Sequence, residues 1–136
     1  MPNRWLLKTE PSTYSYDDLV RDGKTRWDGV MNPVALKNIR AMKKGDLAFV
    51  YHTGSEKSVI RIAEITSDAY PDPKANDLRI VVFDIAAKKR LARPVTLAEI
   101  KAKKFLADFD LVKYSRLSVM PVSKDHWDEI VKMAGG

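Results

Sequence analysis

Residues 46–52, DLAFVYH, and residues 58–66, SVIRIAEIT, predict two β-strands separated by the turn-forming residues 53–57. In the first segment Leu47 and Phe49 stand at alternate positions, which is the period of two that a strand requires. The second segment is β-branched and apolar except for two charged positions, a composition typical of strands. We therefore expect both segments to be strands of one sheet.

Three further segments outside this pair read as strands. Residues 4–9 form a short strand-like run that ends at a proline. Residues 78–86 are nearly continuously apolar, which predicts a central strand, and residues 118–122 predict a last one. Between them, the segment YPDP at residues 70–73 is expected to interrupt the sheet as a rigid loop.

Helix-start signals predict short helices between these strands. Ser15 precedes two acidic residues, and Thr96 stands three positions before Glu99, as in a capping box. Asn32 followed by proline is a strong start signal, and Ser123 caps a final amphipathic helix. The expected helices cover about 16–22, about 33–44, a short stretch from near 96, and the residues after 123.

These elements predict an α+β fold. Five or so strands form a mostly antiparallel β-sheet curled towards a barrel, with several short flanking helices. No repeat, low-complexity tract or linker is visible, so residues 1–136 are expected to form a single domain.

The composition excludes several classes of function. The 136 residues contain no cysteine, which excludes disulfides, thiolate metal sites and cysteine nucleophiles. No apolar run approaches the roughly 18 residues of a membrane span, and no signal peptide is visible, so we expect a cytoplasmic protein. The net charge of +6 favours anionic partners, nucleic acid first.

The sequence offers few catalytic groups. It has two histidines, no nucleophile elbow and no phosphate-binding glycine loop. His126 falls in the last helix and is expected on the surface. His52 ends a strand, where a structural and a binding role are equally open. Lys8 and Glu10 project to one side of a strand end, where they position a ligand or form an ion pair more readily than they catalyse.

One aromatic residue and two basic stretches have alternative interpretations. Trp27, placed in a loop between helices, is either a core anchor or a stacking wall for a flat ring. The basic stretches, at 37–44 and 88–104, are either solvated faces or a track for phosphates. The candidate phosphate contacts are Lys37, Arg40, Lys44 and Arg90.

Several motifs, in order along the chain, resemble the EVE domain: WLLKTEP at 5–11, WDGV at 27–30, NPVA at 32–35, YPDP at 70–73 and SRLSVMPV at 115–122. The chain is similar to stand-alone bacterial members of that family. The resemblance implies a PUA-like fold related to ASCH and YTH domains. It also implies a binding module whose aromatic pocket accepts a modified base, either a modified cytosine in DNA or a modified RNA base.

The resemblance also implies roles for individual residues. Trp27 would be the stacking wall, and Asn32 a polar reader at the helix start. Tyr51 and His52 would line the pocket from their strand.

Four further residues would surround that pocket. Lys8 and Glu10 would lie at its mouth, and Arg116 and Ser118 would contact the backbone or base edges. One position departs from the family, because Met31 stands where an arginine is common. Methionine supplies none of the arginine donors.

Two other functions remain open at this point. One is a nucleoside-processing enzyme of the ASCH-like amidohydrolase type, with Lys8, Glu10 and Tyr51 in acid–base roles. The other is a protein-interaction scaffold whose basic surface meets an acidic partner. We expect a non-enzymatic monomer that needs no cofactor and no metal.

Overall fold

A computed structural model of the protein describes residues 3–135, apart from the side chain of Arg90. The described residues form seven β-strands, five α-helices and one 3-10 helix at Lys104–Leu106. The strands are β1 Arg4–Thr9, β2 Lys24–Trp27, β3 Leu47–His52, β4 Ser58–Ile65, β5 Tyr70–Pro71, β6 Val81–Thr96 and β7 Val119–Pro121. The helices are α1 Tyr16–Asp22, α2 Pro33–Arg40, α3 Leu97–Ala102, α4 Asp110–Lys113 and α5 Lys124–Met133.

The strands form one curled sheet in the order β2-β6-β4-β3-β1-β7, with β5 paired to β6. The β1–β3 pair is parallel, and the other described pairs are antiparallel. Because the register of the β4 pairs shifts near Val50 and again at two places along β6, the sheet bends rather than remaining flat. The predicted α+β fold with a curled, mostly antiparallel sheet is confirmed.

Three strand predictions need correction. The strand predicted over 78–86 is β6, which starts later and continues through a run of charged residues to Thr96. Tyr70–Pro71 pairs with β6 as β5 instead of lying in a loop. Trp27 is the last residue of β2, which pairs with β6, and does not lie in a loop between helices. In each case the cause is a pairing made by the long strand β6, with β4, β5 or β2, which local sequence does not reveal.

The core lies between the sheet and the helices packed on it. Phe49 on β3 and Trp127 on α5 are both buried, and their rings stack with centroids 3.8 Å apart at 15°. Ile130 and Ala134 continue the buried stripe of α5. The amphipathic pattern predicted for this helix therefore packs as expected against the sheet.

A buried carboxylate fixes the entry to β3. Asp46 is 2% exposed and accepts three hydrogen bonds: from the Trp5 indole Nε1 at 2.9 Å, the Asn3 backbone N–H at 2.9 Å and the Lys43 backbone N–H at 3.0 Å. These contacts join β1 to the turn that precedes β3. They also explain why α2 ends at Arg40 rather than near residue 44 as predicted, since the turn at Lys43 is held by Asp46 instead of by helical hydrogen bonds.

The capped helices begin where the sequence predicts. At α1 the Ser15 hydroxyl accepts from the Asp18 N–H, and the Asp18 carboxylate accepts from the Ser15 N–H. At α3, Thr96 and Glu99 form the same reciprocal pair. Each box satisfies two backbone donors locally, so the helix start depends little on tertiary contacts.

Stability should depend on the ionisation of Glu99 in acid. Hydrogen bonds from the Arg93 guanidinium at 2.8 and 3.1 Å, and then from the Thr96 N–H, lower the pKa of Glu99 to about 2. A lowered pKa means that the ionised group stabilises the fold above its ordinary pKa, and that this contribution disappears as the pH falls from about 4 to 2. Urea unfolding of the wild type and of Glu99→Gln should therefore differ at pH 7 and converge near pH 2. A difference that does not change with pH would contradict this assignment.

Candidate functional site

A cleft of about 580 Å³ opens where the end of β1 meets the end of β2. Its volume lies within the range of small-ligand sites, roughly 300–1,000 Å³. It is lined by Lys8, Thr9, Glu10, Thr13, Tyr14, Thr25, Arg26, Trp27, Asp28, Gly29, Val30, Met31 and Ser118. Four of the predicted site residues, Lys8, Glu10, Trp27 and Ser118, thus meet in one cleft.

Trp27 forms one side of this cleft. Its ring is half-buried and lies with its centroid 6.4 Å from that of the buried Phe83, at an interplanar angle of 29°. Pairing of β2 with β6 brings Trp27 opposite Phe83 and fixes the backbone at this point. The ring is therefore held in place from behind while it still borders open space.

Lys8 and Glu10 face the cleft without pairing with each other among the described residues. Lys8 Nζ donates to the Ser115 carbonyl at 3.0 Å, and partial burial lowers the pKa of Lys8. Glu10 accepts from the Ser12 N–H at 3.3 Å and the Ser12 hydroxyl at 3.1 Å, and then from the Thr53 hydroxyl at 3.3 Å. These bonds hold the pKa of Glu10 below its usual value, so the carboxylate is ionised at neutral pH.

Asn32 and Arg116 line a neighbouring depression of about 620 Å³ rather than the cleft. Asn32 Oδ1 accepts from the Val34 and Ala35 N–H groups at 2.9 and 3.1 Å and so caps α2. This cap occupies the carbonyl end of the side chain, which leaves the amide NH₂ as the group available to a ligand. Arg116 is exposed.

Tyr51 and His52 lie outside the cleft. His52 is 5% exposed. Its Nε2 accepts from the Tyr16 N–H at 3.0 Å, and its Nδ1 lies 3.2 Å from a Glu56 carboxylate oxygen. Because both ring nitrogens have protein partners, the histidine supports the start of α1 and does not line the cleft. Tyr51 borders a separate groove, and burial raises the pKa of its hydroxyl.

The candidate acid–base trio is thereby divided between two concavities. Lys8 and Glu10 line the cleft, whereas Tyr51 lines the adjoining groove. The second histidine, His126, is mostly buried at its side chain and pairs with Asp108 at 3.2 Å rather than standing free on the surface.

The predicted phosphate contacts are dispersed. Lys37 and Arg40 are exposed on α2, and Arg40 Nη2 donates to the Arg79 carbonyl at 2.9 Å. Lys44 lies beyond the end of α2, not on one face of it as expected. None of these three lines the cleft within the described part of the chain, and the side chain of Arg90 lies outside that part.

Several cleft residues were not singled out from the sequence, and two of them make side-chain hydrogen bonds to other elements. Tyr14 is half-buried, and its hydroxyl donates to Asp22 at 2.9 Å. Arg26 Nε donates to the Tyr70 hydroxyl at 3.1 Å, which in turn donates to Asp84 at 2.7 Å. Arg26 could be found only by recognising β2, which brings its side chain to the cleft.

Across residues 3–135 no three histidine, aspartate or glutamate side chains group together as metal ligands would. No helix in that range has the length and apolar character needed to cross a membrane.

A curled sheet with short helices on its outside and an open cleft beside β1 and β2 defines a PUA-like domain. The family model described as EVE domain matches residues 3–133. The chain belongs to the EVE domain family.

Solved structures and relatives share this architecture. A protein from Rhodopseudomonas palustris, determined by NMR, is 47% identical with a TM-score of 0.93, over 98% of this chain and 93% of that one. Human thymocyte nuclear protein 1 is 28% identical over 98% of this chain and 74% of its own length. The human THYN1 protein, crystallised in complex with DNA containing 5-methylcytosine, is 26% identical with a TM-score of 0.90, over 98% of each chain.

Proposed function

We propose that this protein is a nucleic-acid-binding module that accepts a modified base in the cleft beside Trp27. The base would be a modified cytosine in DNA or a modified RNA base, and it would leave unchanged. The observation that carries the proposal is the half-buried ring of Trp27, backed by Phe83 and bordering a cleft of base-accommodating size. The complex of the human THYN1 protein with 5-methylcytosine DNA supports it.

Stacking on Trp27 offsets the cost of removing a base from its helix. Extruding a base costs a few kcal/mol, and less when the base is already unpaired. Stacking of a base on an aromatic side chain contributes about 1–3 kcal/mol. A pocket that relies on stacking therefore favours single strands, or duplexes whose target base is readily extruded.

Glu10 is a hydrogen-bond acceptor in the cleft that would favour cytosine. Its ionised carboxylate only accepts hydrogen bonds, and two oxygens offer about four lone-pair sites. Ser12 and Thr53 use part of this capacity. The exocyclic N4 amino group of cytosine is a donor that carboxylates recognise. Glu10 is therefore our candidate for reading the Watson–Crick edge of the base.

Binding should be measured with short oligonucleotides that differ only at one base. The panel would carry cytosine, 5-methylcytosine or 5-hydroxymethylcytosine in single-stranded DNA, duplex DNA and RNA, at two salt concentrations. Trp5 and Trp127 are buried, so a change in tryptophan emission on binding would come mainly from Trp27. We expect affinity to depend on the modification. Weak binding that is equal across the panel would reject the base-reading function for these ligands.

Restoring the arginine that is common in the family should strengthen binding. Met31 is 68% exposed at the edge of the cleft and offers no donor. Met31→Arg would add a guanidinium that contacts a phosphate, which is worth about fivefold to tenfold in affinity at 0.1 M salt and steepens the salt dependence by about one unit. The matched control is Met31→Gln, which changes polarity without adding charge. Equal affinities of the arginine and glutamine variants would show that this position does not approach phosphate.

A further inference from the structure

A narrow groove adjoins the cleft and carries a concentration of positive charge. Its volume is about 280 Å³, and it lies between the β3–β4 turn, α3 and α4. We call it the lysine groove, because Lys8, Lys57 and Lys101 line it, together with the hydroxyl-bearing residues Tyr51, Thr53 and Ser115.

The charges of the lysine groove are not neutralised by the protein. In the described part of the chain the ammonium groups of Lys57 and Lys101 have no hydrogen-bond or ion-pair partner, and no aspartate or glutamate is among the residues that line the groove. The nearby carboxylate of Glu10 contacts Thr53 from the side of the cleft. An anion in the groove would therefore meet three cations, whereas the proton of the Thr53 hydroxyl is already donated to Thr9 and Glu10.

The backbone holds two of these lysines in place. Lys57 has a φ of +43°, a conformation that few residues other than glycine adopt. Its carbonyl accepts from the Leu97 N–H at 2.7 Å, which ties the turn to the start of α3. Lys101 lies four residues further along α3, one turn on from Leu97. The same contact thus positions both side chains at the groove.

Lys8 connects the groove to the cleft, because it lines both. Its ammonium is held by the Ser115 carbonyl at 3.0 Å and lies 5.9 Å from the centre of the Tyr51 ring. A base in the cleft is joined through its sugar to a phosphate on either side. Because the groove adjoins the cleft, one of these phosphates would lie next to the groove when the base is bound.

We propose that the lysine groove binds a phosphate group of the nucleic-acid strand whose base occupies the Trp27 cleft. This inference rests on the proposed function and assigns Lys57 and Lys101 as phosphate contacts. In this proposal the lysine groove, rather than the dispersed basic residues on and after α2, is the principal contact to the nucleic-acid backbone. The groove supplies affinity without base information, whereas the cleft supplies the preference for the base.

The test is the salt dependence of binding by the variant Lys57→Gln/Lys101→Gln. The matched control is Lys74→Gln/Lys132→Gln, which removes two exposed charges outside the cleft, the groove and both basic stretches. For each phosphate that the variant no longer neutralises, we expect every oligonucleotide to bind about fivefold to tenfold more weakly at 0.1 M salt. The slope of log affinity against log salt concentration should also be smaller in magnitude by about one unit. The ratio of affinities for modified and unmodified bases should not change. Affinities and slopes equal to those of the control variant would overturn the proposal.

The results separate the groove from the base-reading function. A preserved base preference with an unchanged salt slope would reject the groove alone. A salt slope that is reduced in the variant, while the wild type shows no base preference, would reject the base reading and retain the groove. If the wild type binds no oligonucleotide at all, both proposals are rejected. In a parallel titration with inorganic phosphate, the backbone amide signals of Thr53 and Gly54 report on the groove by NMR. A response there, combined with unaffected oligonucleotide binding in the variant, would identify a site for free phosphate and contradict the proposal.

Discussion

Trp27→Ala should weaken binding of the preferred oligonucleotide by about 5-fold to 150-fold, which corresponds to the 1–3 kcal/mol that stacking of a base on an aromatic ring contributes. The preference among modified bases should fall at the same time, because a base that is no longer held against the ring samples several positions. Anisotropy of a labelled oligonucleotide would measure both effects, since the variant lacks the tryptophan that reports on the cleft.

Two further variants separate stacking from general effects of losing a ring. Trp27→Phe keeps an aromatic face against Phe83 and should retain most of the affinity. Phe105→Ala removes a ring that is 54% exposed and does not line the cleft, and should bind as the wild type does. If Trp27→Ala binds within twofold of the wild type with its base preference intact, while circular dichroism shows it folded, Trp27 is not the stacking wall.

Asp46→Ala should lower the free energy of unfolding by about 3 kcal/mol or more. The substitution leaves the buried Trp5 indole N–H and the part-buried N–H groups of Asn3 and Lys43 without their acceptor; a buried donor left unpaired costs about 1–3 kcal/mol, and the part-buried donors add less each. Water entering the vacated space recovers part of this cost. Urea denaturation at neutral pH would measure the change as a shift of the midpoint.

Two controls define what Asp46 contributes. Asp46→Asn retains one acceptor oxygen in nearly the same shape and should destabilise the protein less. Asp68→Ala removes an exposed carboxylate that accepts one backbone hydrogen bond, from the Lys44 N–H at 2.9 Å, and should cost below about 1 kcal/mol. An Asp46→Ala variant as stable as Asp68→Ala would show that the three donors find other partners.

The elements predicted accurately are those specified by neighbouring residues. The α1 helix spans the predicted Tyr16–Asp22 because its capping box and its final glycine act within a few residues. The β1 strand likewise spans the predicted residues. The end of α2 was predicted too late, because the turn that follows the helix is held by the nearby Asp46 carboxylate, a contact that the helix-stop pattern at Gly45 does not reveal.

The strands β2 and β6 show the limit of local patterns. The four residues of β2, KTRW, alternate between exposed and half-buried, and the segment is too short to signal a strand. Their hydrogen-bond partners come from β6, almost 60 residues later. The second half of β6 is rich in lysine and arginine, a composition typical of solvated loops, yet it pairs with β4.

The candidate site could also be predicted only in part, because contacts between distant segments bring some of its residues together. Lys8, Glu10, Trp27 and Ser118, which motif position grouped together, line one cleft because they lie in or next to the ends of strands. Motif position did not separate His52, whose ring is turned inward to the backbone of α1, from its neighbour Tyr51. The sequence did not indicate Lys57, and it placed Lys101 only within the long basic stretch 88–104; the two lysines meet because the β3–β4 turn contacts α3.

The position of β1 within the sheet has a consequence for how the protein folds. This strand pairs with β3, about 43 residues away, and with β7, more than 110 residues away. The closing of such long loops is entropically costly and slows folding relative to domains built from local contacts. During synthesis the β7 side of β1 stays unpaired until residues 119–121 have emerged, and this exposed strand edge is where premature association between nascent chains would begin.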